Sequence, residues 1–410
     1  MTEWVSFTIA ELTENLDAKR VPVKEADRRP GPYPYYGASG IVDYIDSYIF
    51  EGLHLLIAED GENLRTRKLP IAFLADGRFW VNNHAHIVRG NHKADTRFLL
   101  YALMTADVTS YLSGSTMPKL TQGNLNRIPI LAPDKKQQEA IASILGSLDD
   151  KIELSRRMNE TLEAMARAIF KDWFVDFGPT RSKMEGRAPY LAPDLWSLFP
   201  DRLDDEGKPR GWTNSTIGQE VDVLGGSTPS TKEPQFWGGD VAWATPKDLS
   251  SLTTPVLLST DRQITEAGLS RIGSGLLPVG TVLLSSRAPI GYIAIAQIPV
   301  AVNQGFIAMI CRKRLSNVFV WLWTQANIET VHQNANGSTF QEISKANFRP
   351  IAIAVPTPDI LRAFDETAKP LFDRIASNDK ENRSLAATRD FLLPKLMSGE
   401  VRVGDASQIA

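Results

Sequence analysis

SGSTMPKLTQGNLNRIPILAP, residues 113–133, and NGSTFQEISKANFRPIAIAVP, residues 336–356, are two copies of one pattern at a constant offset of 223. Gly114, Ser115, Thr116, Asn124, Ile128, Ile130 and Pro133 return as Gly337, Ser338, Thr339, Asn347, Ile351, Ile353 and Pro356. Towards the N-terminus, Val81-Asn82-Asn83 matches Val302-Asn303-Gln304 at an offset of 221, and Trp4…Thr8-Ile9 matches Trp212…Thr216-Ile217 at 208. Offsets that shrink in this way mark insertions and deletions within a diverged duplication. A unit of roughly 200 residues is a whole domain with its trailing element, not the short repeat of a solenoid.

Around the repeat, each copy shows short β-branched and aromatic runs broken by Gly, Pro and Asn: HLLIAEDG (54–61), PIAFLADGRFWV (70–81), GTVLLSSRAPIGYIAIA (280–296) and PVAVNQGFIAMI (299–310). Helical patches at 96–112 and 318–333 interrupt them, so the fold class is α+β, with two mixed α/β globules. Each globule is followed by a longer signal. Ile141, Leu145, Leu148, Ile152, Ser155, Asn159, Leu162, Ala166, Ile169 and Trp173 alternate steps of four and three, the period of a coiled coil. The offset of 223 carries them onto Phe364, Ala368, Leu371, Ile375, Asn378, Asn382, Leu385, Arg389, Leu392 and Leu396. Gly146 and Pro370 sit at nearly matched points, which predicts a short helix, a break, then a long helix at about 148–173 and 371–393, roughly 35–40 Å each, with Pro394 loosening the second end.

Two matching seams are expected to pair antiparallel, with the chain folded back in pseudo-twofold symmetry and Asn159 and Asn382 near the middle. The alternative is that each helix covers only its own globule. The chain accordingly divides into a first globule (1–133), a first spacer helix region (134–176), a proline-rich linker (177–211), a second globule (212–357), a second spacer helix region (358–400) and a tail (401–410).

With 43% hydrophobic residues, 45 Lys+Arg against 48 Asp+Glu and one cysteine in 410 residues, disorder, collagen and disulfide scaffolds are excluded. The lone Cys311 and an N-terminus without a basic, apolar leader suggest a reducing, cytoplasmic setting. Ala288–Cys311 lacks charge and is long enough to span a bilayer, but its Gln297, Pro299, Asn303 and Gln304 and its β-branched residues read as two buried strands.

Catalytic signatures are missing: there is no Walker lysine loop, no HExxH and no Cys/His cluster. His84 and His86 would share one face of an alternating strand, yet no third ligand accompanies them. Asp194, Asp201, Glu206 and Lys208 imitate the acids and lysine of a metal-dependent nuclease. That chemistry needs acids on adjacent strands, whereas these lie in a proline-rich linker, so nuclease activity through Asp201, Glu206 and Lys208 is the runner-up reading.

Taken together, several segments resemble the DNA-sequence-specificity (S) subunit of type I restriction-modification systems. They are YPYYGASGIVDYIDSYIFEG, LLIAEDGENL and FWVNNHAHIV in the first globule, GGSTPSTKEPQFWGGDVAWATPKDL and SSRAPIGYIAIA in the second, and IFKDWFVDFGPTRSKMEG and LFPDRLDDEGKPRGW between them. The resemblance covers nearly the whole chain. It implies a non-catalytic subunit whose two recognition domains read the halves of a bipartite, asymmetric double-stranded DNA target. The paired helices would set the gap and dock two adenine-methylating (M) subunits, with motor-nuclease (R) subunits added. S-adenosylmethionine, ATP and Mg²⁺ would then act on the partners and none on this chain, and no membrane is involved.

A helix pair of that length matches the ~34–36 Å rise of one DNA turn. Net charge is −3 and no segment is basic overall: residues 1–133 carry 14 basic and 15 acidic side chains, and 174–357 carry 16 of each. Phosphate contacts must therefore come from clusters such as Lys19-Arg20, Arg28-Arg29 and Arg65-Thr66-Arg67-Lys68. Matched positions (Gly114-Ser115-Thr116 and Gly337-Ser338-Thr339, Asn82 and Asn303) suit scaffold or phosphate roles, because two half-sites demand different readers. Asn83 and Gln304 have the amide that pairs with adenine, or they stabilise turns. Tyr35, Tyr36, His84 and Lys119 in the first globule, and Lys232, Trp243, Lys247 and Arg287 in the second, are the candidate base readers; the aromatics fit a core equally well. Arg287 ends an apolar run and is the only charge until Arg312. For the helix seam the decisive residues are Leu148, Ile152, Asn159 and Leu162 against Leu371, Ile375, Asn382 and Leu385.

Overall fold

A computed structural model describes residues 4–337 and 341–403. It falls into two compact units, one formed by residues 1–153 with 383–410 and the other by 154–382. Ser338 and Thr339, the second copy's hydroxyl pair, and most of the tail lie outside the described residues.

In the first unit, strand Val5–Thr8 pairs antiparallel with Pro129–Ala132, which closes the ends of the globule on each other. Thr8 caps the helical turn that follows it in a capping box: its amide donates to the Glu11 carboxylate and its side chain accepts from the Glu11 amide, which satisfies helix-end donors. A four-stranded sheet has the order Thr13–Asn15, Ala85–Gly90, His54–Ala58, Ala72–Ala75, and a second runs Gly40–Ile45, Pro30–Gly37, Arg78–Val81, Phe50–Glu51. Helix Thr96–Thr105, N-capped by Asp95, packs on the first sheet. Its Phe98, Leu99 and Leu103 join Leu55, Ile57 and Val88 in the core.

The second unit repeats this plan. Thr213–Thr216 pairs antiparallel with Ala352–Val355, and Thr216 and Gln219 form the matching capping box. The sheet Asp222–Leu224, Phe306–Ile310, Val282–Ser286, Ile290–Ala296, Val256–Leu257 parallels the first unit's with one strand added. The span 288–311 is thus strands Ile290–Ala296, Ala301–Val302 and Phe306–Ile310 rather than a bilayer segment. Among the described residues no helix is long and apolar enough to cross a membrane. Asn124 and Asn347, matched in sequence, do one job: each side-chain amide donates to a carbonyl thirteen residues earlier, Tyr111 at 2.8 Å and Asn334 at 3.0 Å.

The long helices are Lys135–Phe170, prolonged by a π-helical turn at Lys171–Val175, and Pro358–Met397. The predicted breaks are absent: helix continues through Gly146, Pro370 and Pro394. Glycine and proline cost a helix ~1 and ~3 kcal/mol. The seam outweighs this, because Ile141, Leu145 and Leu148 flank Gly146, and Phe364, Ala368 and Phe372 flank Pro370, all buried.

The helices pair, and they also cover the globules. In the second unit the Asn378 side chain donates to Asn159 Oδ1 at 2.8 Å and the Phe170 ring meets Phe364 at 5.8 Å, so the pairing is antiparallel. Asn159 faces Asn378, not Asn382, which lies one turn further along. Ile152 and Ile375 are buried, whereas Leu162, Leu371 and Leu385 are half-buried. In the first unit Arg389 donates to Asp149 Oδ1 at 2.7 Å, and Ile141, Leu145, Leu148, Leu392 and Leu396 share one core with the globule.

Within the second unit an aromatic cluster ties helix and linker to the globule. Trp173 packs edge-on against Phe199 at 5.0 Å, and Phe174 meets Phe319, Phe364 and Trp212. The linker carries short helices Gly178–Met184 and Pro193–Leu198. Its apparent metal set is a surface turn: Lys208 pairs with Asp204 and Glu206, Asn214 donates to Glu206, and Asp201 pairs with Arg202. The acids are not on neighbouring strands, and no group of three or more metal-ligating side chains occurs among the described residues.

Candidate nucleic-acid interface

Each globule brings three loops to one sheet end with the same hydrogen bonds. In the first, strand His54–Ala58 exits at Glu59, whose amide donates to the His84 carbonyl (2.9 Å) and whose carbonyl accepts from Leu120 N (2.8 Å). In the second, strand Val282–Ser286 ends at Ser286, whose amide donates to the Gly305 carbonyl (2.8 Å) and whose carbonyl accepts from Ile343 N (3.0 Å). The repeated GST loop hangs from this junction. Ser113 and Lys119 exchange two backbone bonds of 2.8 Å, and Asn336 and Glu342 exchange two of 2.9 Å. Both loops turn through a glycine at positive φ, Gly114 at 87° and Gly337 at 100°. There a side chain is strained, and at Gly114 a Cβ would meet the Met117 carbonyl at 2.3 Å.

The third loop is an Asx turn in both copies. Asn82 Oδ1 accepts from His84 N at 2.8 Å, and Asn303 Oδ1 from Gly305 N at 2.9 Å. These asparagines are spent on backbone geometry. They lift Asn83 and Gln304 to exposed positions at the tip; Gln304 accepts from the Thr228 hydroxyl at 2.6 Å, while Asn83 shows no partner among the described residues.

In the first globule the junction rests on a buried charged network. His86 is 1% exposed; its Nδ1 meets Asp17 Oδ2 at 2.5 Å and its Nε2 meets the Leu120 carbonyl at 2.7 Å. The ring thus bridges a carboxylate and a backbone carbonyl. Burial pushes the Asp17 carboxyl up, but the bonds from His86 and Ile87 N and the charge of Arg20 hold it below the usual carboxylate value. Glu59 is likewise lowered against its burial, by Arg20 and by the positive charges of His86 and Lys119. His84 and His86 therefore do not share a face: His84 is exposed in the turn and bonded to Asp60 at 2.7 Å.

Three predicted DNA contacts are corrected by this geometry. Tyr35 is 1% exposed, with its hydroxyl bonded to the Val23 backbone, and Trp243 is 2% exposed and edge-on to Trp237, so neither can present a face to a base. Arg67 spends its guanidinium on the carbonyls of Leu103, Met104 and Ala106, capping the C-terminal end of helix Thr96–Thr105. Tyr36 is half-buried against Phe73 and Phe79.

The remaining residues lie at the surface. Arg65 pairs with Glu62, Lys119 with Glu59 and Lys247 with Asp261, whereas Lys68 and Lys232 are exposed with no partner among the described residues. Arg287 lies 3.6 Å from Glu342. Sequence reasoning overlooked Glu59, Asp60 and Glu342. The offset of 223 held the signal for one of them, since it carries Lys119 onto Glu342 and reverses the charge.

Residues 1–164 and 209–379 match the family model of the type I restriction modification DNA specificity domain. The chain is 35% identical over 424 residues to the type I restriction enzyme MjaIX specificity subunit of Methanocaldococcus jannaschii, across 98% of this chain and 94% of that one. It is 26% identical over 355 residues to the HindI specificity subunit of Haemophilus influenzae, across 74% and 77% of the two chains. A crystal structure of the type I restriction-modification S subunit from M. genitalium shares the fold, with a TM-score of 0.63 over 96% of both chains at 17% identity. With the family's domain matched on both sides of the linker and a relative aligned along nearly the whole length, the chain belongs to the type I restriction-modification DNA specificity family.

Proposed function

We propose that this chain is the specificity subunit of a type I restriction-modification complex and that each globule reads one half of a bipartite, asymmetric DNA target. Specificity subunits supply recognition and not chemistry. Two methyltransferase subunits and the motor-nuclease subunits dock on the chain, S-adenosylmethionine, ATP and Mg²⁺ act on those partners, and the assembly works in the cytoplasm, where DNA is the substrate. The observation that carries the reading is the duplicated three-loop junction. Its hydrogen-bonded frame is the same in both globules, but the side chains on it differ: Asn83 against Gln304, Asp60 against Arg287, Lys119 against Glu342. One frame with two sets of readers suits a protein that must bind two unlike half-sites.

Exposed Lys68, Lys232, Lys247 and Arg65 supply phosphate contacts, which position the duplex without reading it. Asn83, His84 and Lys119, and Gln304 and Arg287, face bases. Methylome sequencing of a host with and without the gene tests the function: one bipartite adenine-methylated motif disappears with the gene. Exchanging residues 212–357 for the second globule of a related subunit changes one half of that motif only. A motif that persists without the gene, or changes in both halves, refutes the proposal.

A further inference from the structure

The two junctions carry reversed charges at matched places. In the second globule these form an ion pair, Arg287 with Glu342 at 3.6 Å, whereas in the first Asp60 is bonded to His84 and Lys119 to Glu59. Residue 60 bridges residue 119 in the first globule, and residue 287 bridges residue 342 in the second, through matching antiparallel backbone contacts. At the strand exit stand Asp60 in one and Arg287 in the other; on the loop stand Lys119 in one and Glu342 in the other. A pair kept only to fasten loop to strand works in either polarity. A pair that reads bases does not, because it decides which side offers donors and which acceptors.

We infer that this pair is a specificity element, and that in the second globule Arg287 reads the guanine of a G·C pair while Glu342 orients it and accepts from the cytosine amine. The inference rests on the proposed reading of DNA by the two globules. Its physical basis is the state of Arg287. Arg67 spends its guanidinium on three carbonyls, and Arg314 is held by bonds of 2.5 and 3.0 Å to Glu220. The Arg287 side chain, by contrast, is 39% exposed, makes one 3.6 Å approach to Glu342 and no hydrogen bond among the described residues. Its N–H donors are thus unspent among the described residues, yet the backbone beside it is fixed by the Ser286 bonds to Gly305 and Ile343.

A planar fork with free donors matches guanine O6 and N7, whereas adenine turns an amine towards it. Glu342 Oε2, close beside the fork, is the acceptor that the cytosine N4 amine on the same pair requires. The first globule offers neither arrangement: its cation is the point charge of Lys119, held 3.2 Å from Glu59, and its strand-exit acid is taken by His84. The two half-sites must then differ at this position.

The test uses the complete complex assembled with its methyltransferase subunits and a panel of duplexes in which each base pair of the wild-type target is replaced in turn. Arg287→Ala is expected to lower affinity for the target by roughly 5- to 150-fold and to abolish the preference at a single G·C position in one half-site. The exchange R287E with E342R restores the ion pair. Its thermal unfolding should stay at the wild-type temperature while the preference at that one position is lost. Wild-type preference at every position in the exchange variant, or uniform weakening across the panel in Arg287→Ala, overturns the inference and leaves recognition by the globules standing. A wild-type complex without any sequence preference overturns that underlying reading and this inference with it.

Discussion

Removing Asn378 tests how the helix seam is held in register. Asn378 and Asn159 are 1% and 3% exposed, and the bond between them runs from Asn378 Nδ2 to Asn159 Oδ1 at 2.8 Å. The layer is already under-satisfied, since Asn159 Nδ2 and Asn382 Oδ1 are buried without a partner among the described residues. Asn378→Ala takes the bond from Asn159 and opens a small void, at a cost of about 1–3 kcal/mol for the stranded polar group and about 2–4 kcal/mol in all. Replacing both partners by leucine removes the donor and the acceptor together, which is expected to fall within about 1 kcal/mol of wild type. Urea unfolding followed by circular dichroism at constant m-value reads the difference in midpoint. An Asn378→Ala protein with the wild-type midpoint, or a double-leucine protein as weak as the single variant, refutes the reasoning. Because a buried amide pair penalises shifted registers, the double-leucine variant should also tolerate more than one gap between methylated half-sites.

Three further predictions follow from named contacts. Asp17 is held below its ordinary 3.8, so its stabilising contribution is complete above that value and is lost as pH falls through the lower folded-state value; Asp17→Asn should flatten the loss of urea stability below about pH 4, and an equally steep loss in the variant counts against the network. Arg67→Ala should lower stability by about 1–3 kcal/mol without changing the methylated motif or its salt dependence, whereas Lys68→Ala should leave stability alone and flatten the salt slope of DNA binding by about one unit. Alanine at Asp201, Glu206 and Lys208 together should leave methylation and cleavage by the reconstituted complex intact, and lost cleavage with retained DNA binding would revive a nuclease role for the linker.

The fold was legible where chemistry repeats at fixed spacing. The offset of 223 identified strands Pro129–Ala132 and Ala352–Val355 as equivalents, and each closes its globule on a strand that begins just after Trp4 or Trp212. The four-three stripe named the buried face of both long helices. Helix continuity was not legible, because a local penalty at Gly146 or Pro370 says nothing about the burial on either side that overrides it. Register was not legible either. A stripe defines which face of a helix is apolar, but which turn opposes which depends on how the globules hold the helix ends, and Asn159 accordingly meets Asn378 instead of Asn382.

Arg67 and Arg287 show why the site was harder to read than the fold. Each is an arginine at the end of a short element, and each was a reasonable DNA contact. What separates them is whether their donors are spent. The end of helix Thr96–Thr105 places three unsatisfied carbonyls within reach of Arg67, and a cation there serves the helix. At Arg287 the Ser286 N and O are already bonded to Gly305 and Ile343, and among the described residues the guanidinium meets only a carboxylate at 3.6 Å. The demand for an arginine's donors is thus set by carbonyls tens of residues away in sequence, which no local pattern reports. Comparison of the two copies does report something, because positions matched in backbone but opposite in charge, as Lys119 and Glu342 are, mark where one shared frame carries two different sets of side chains.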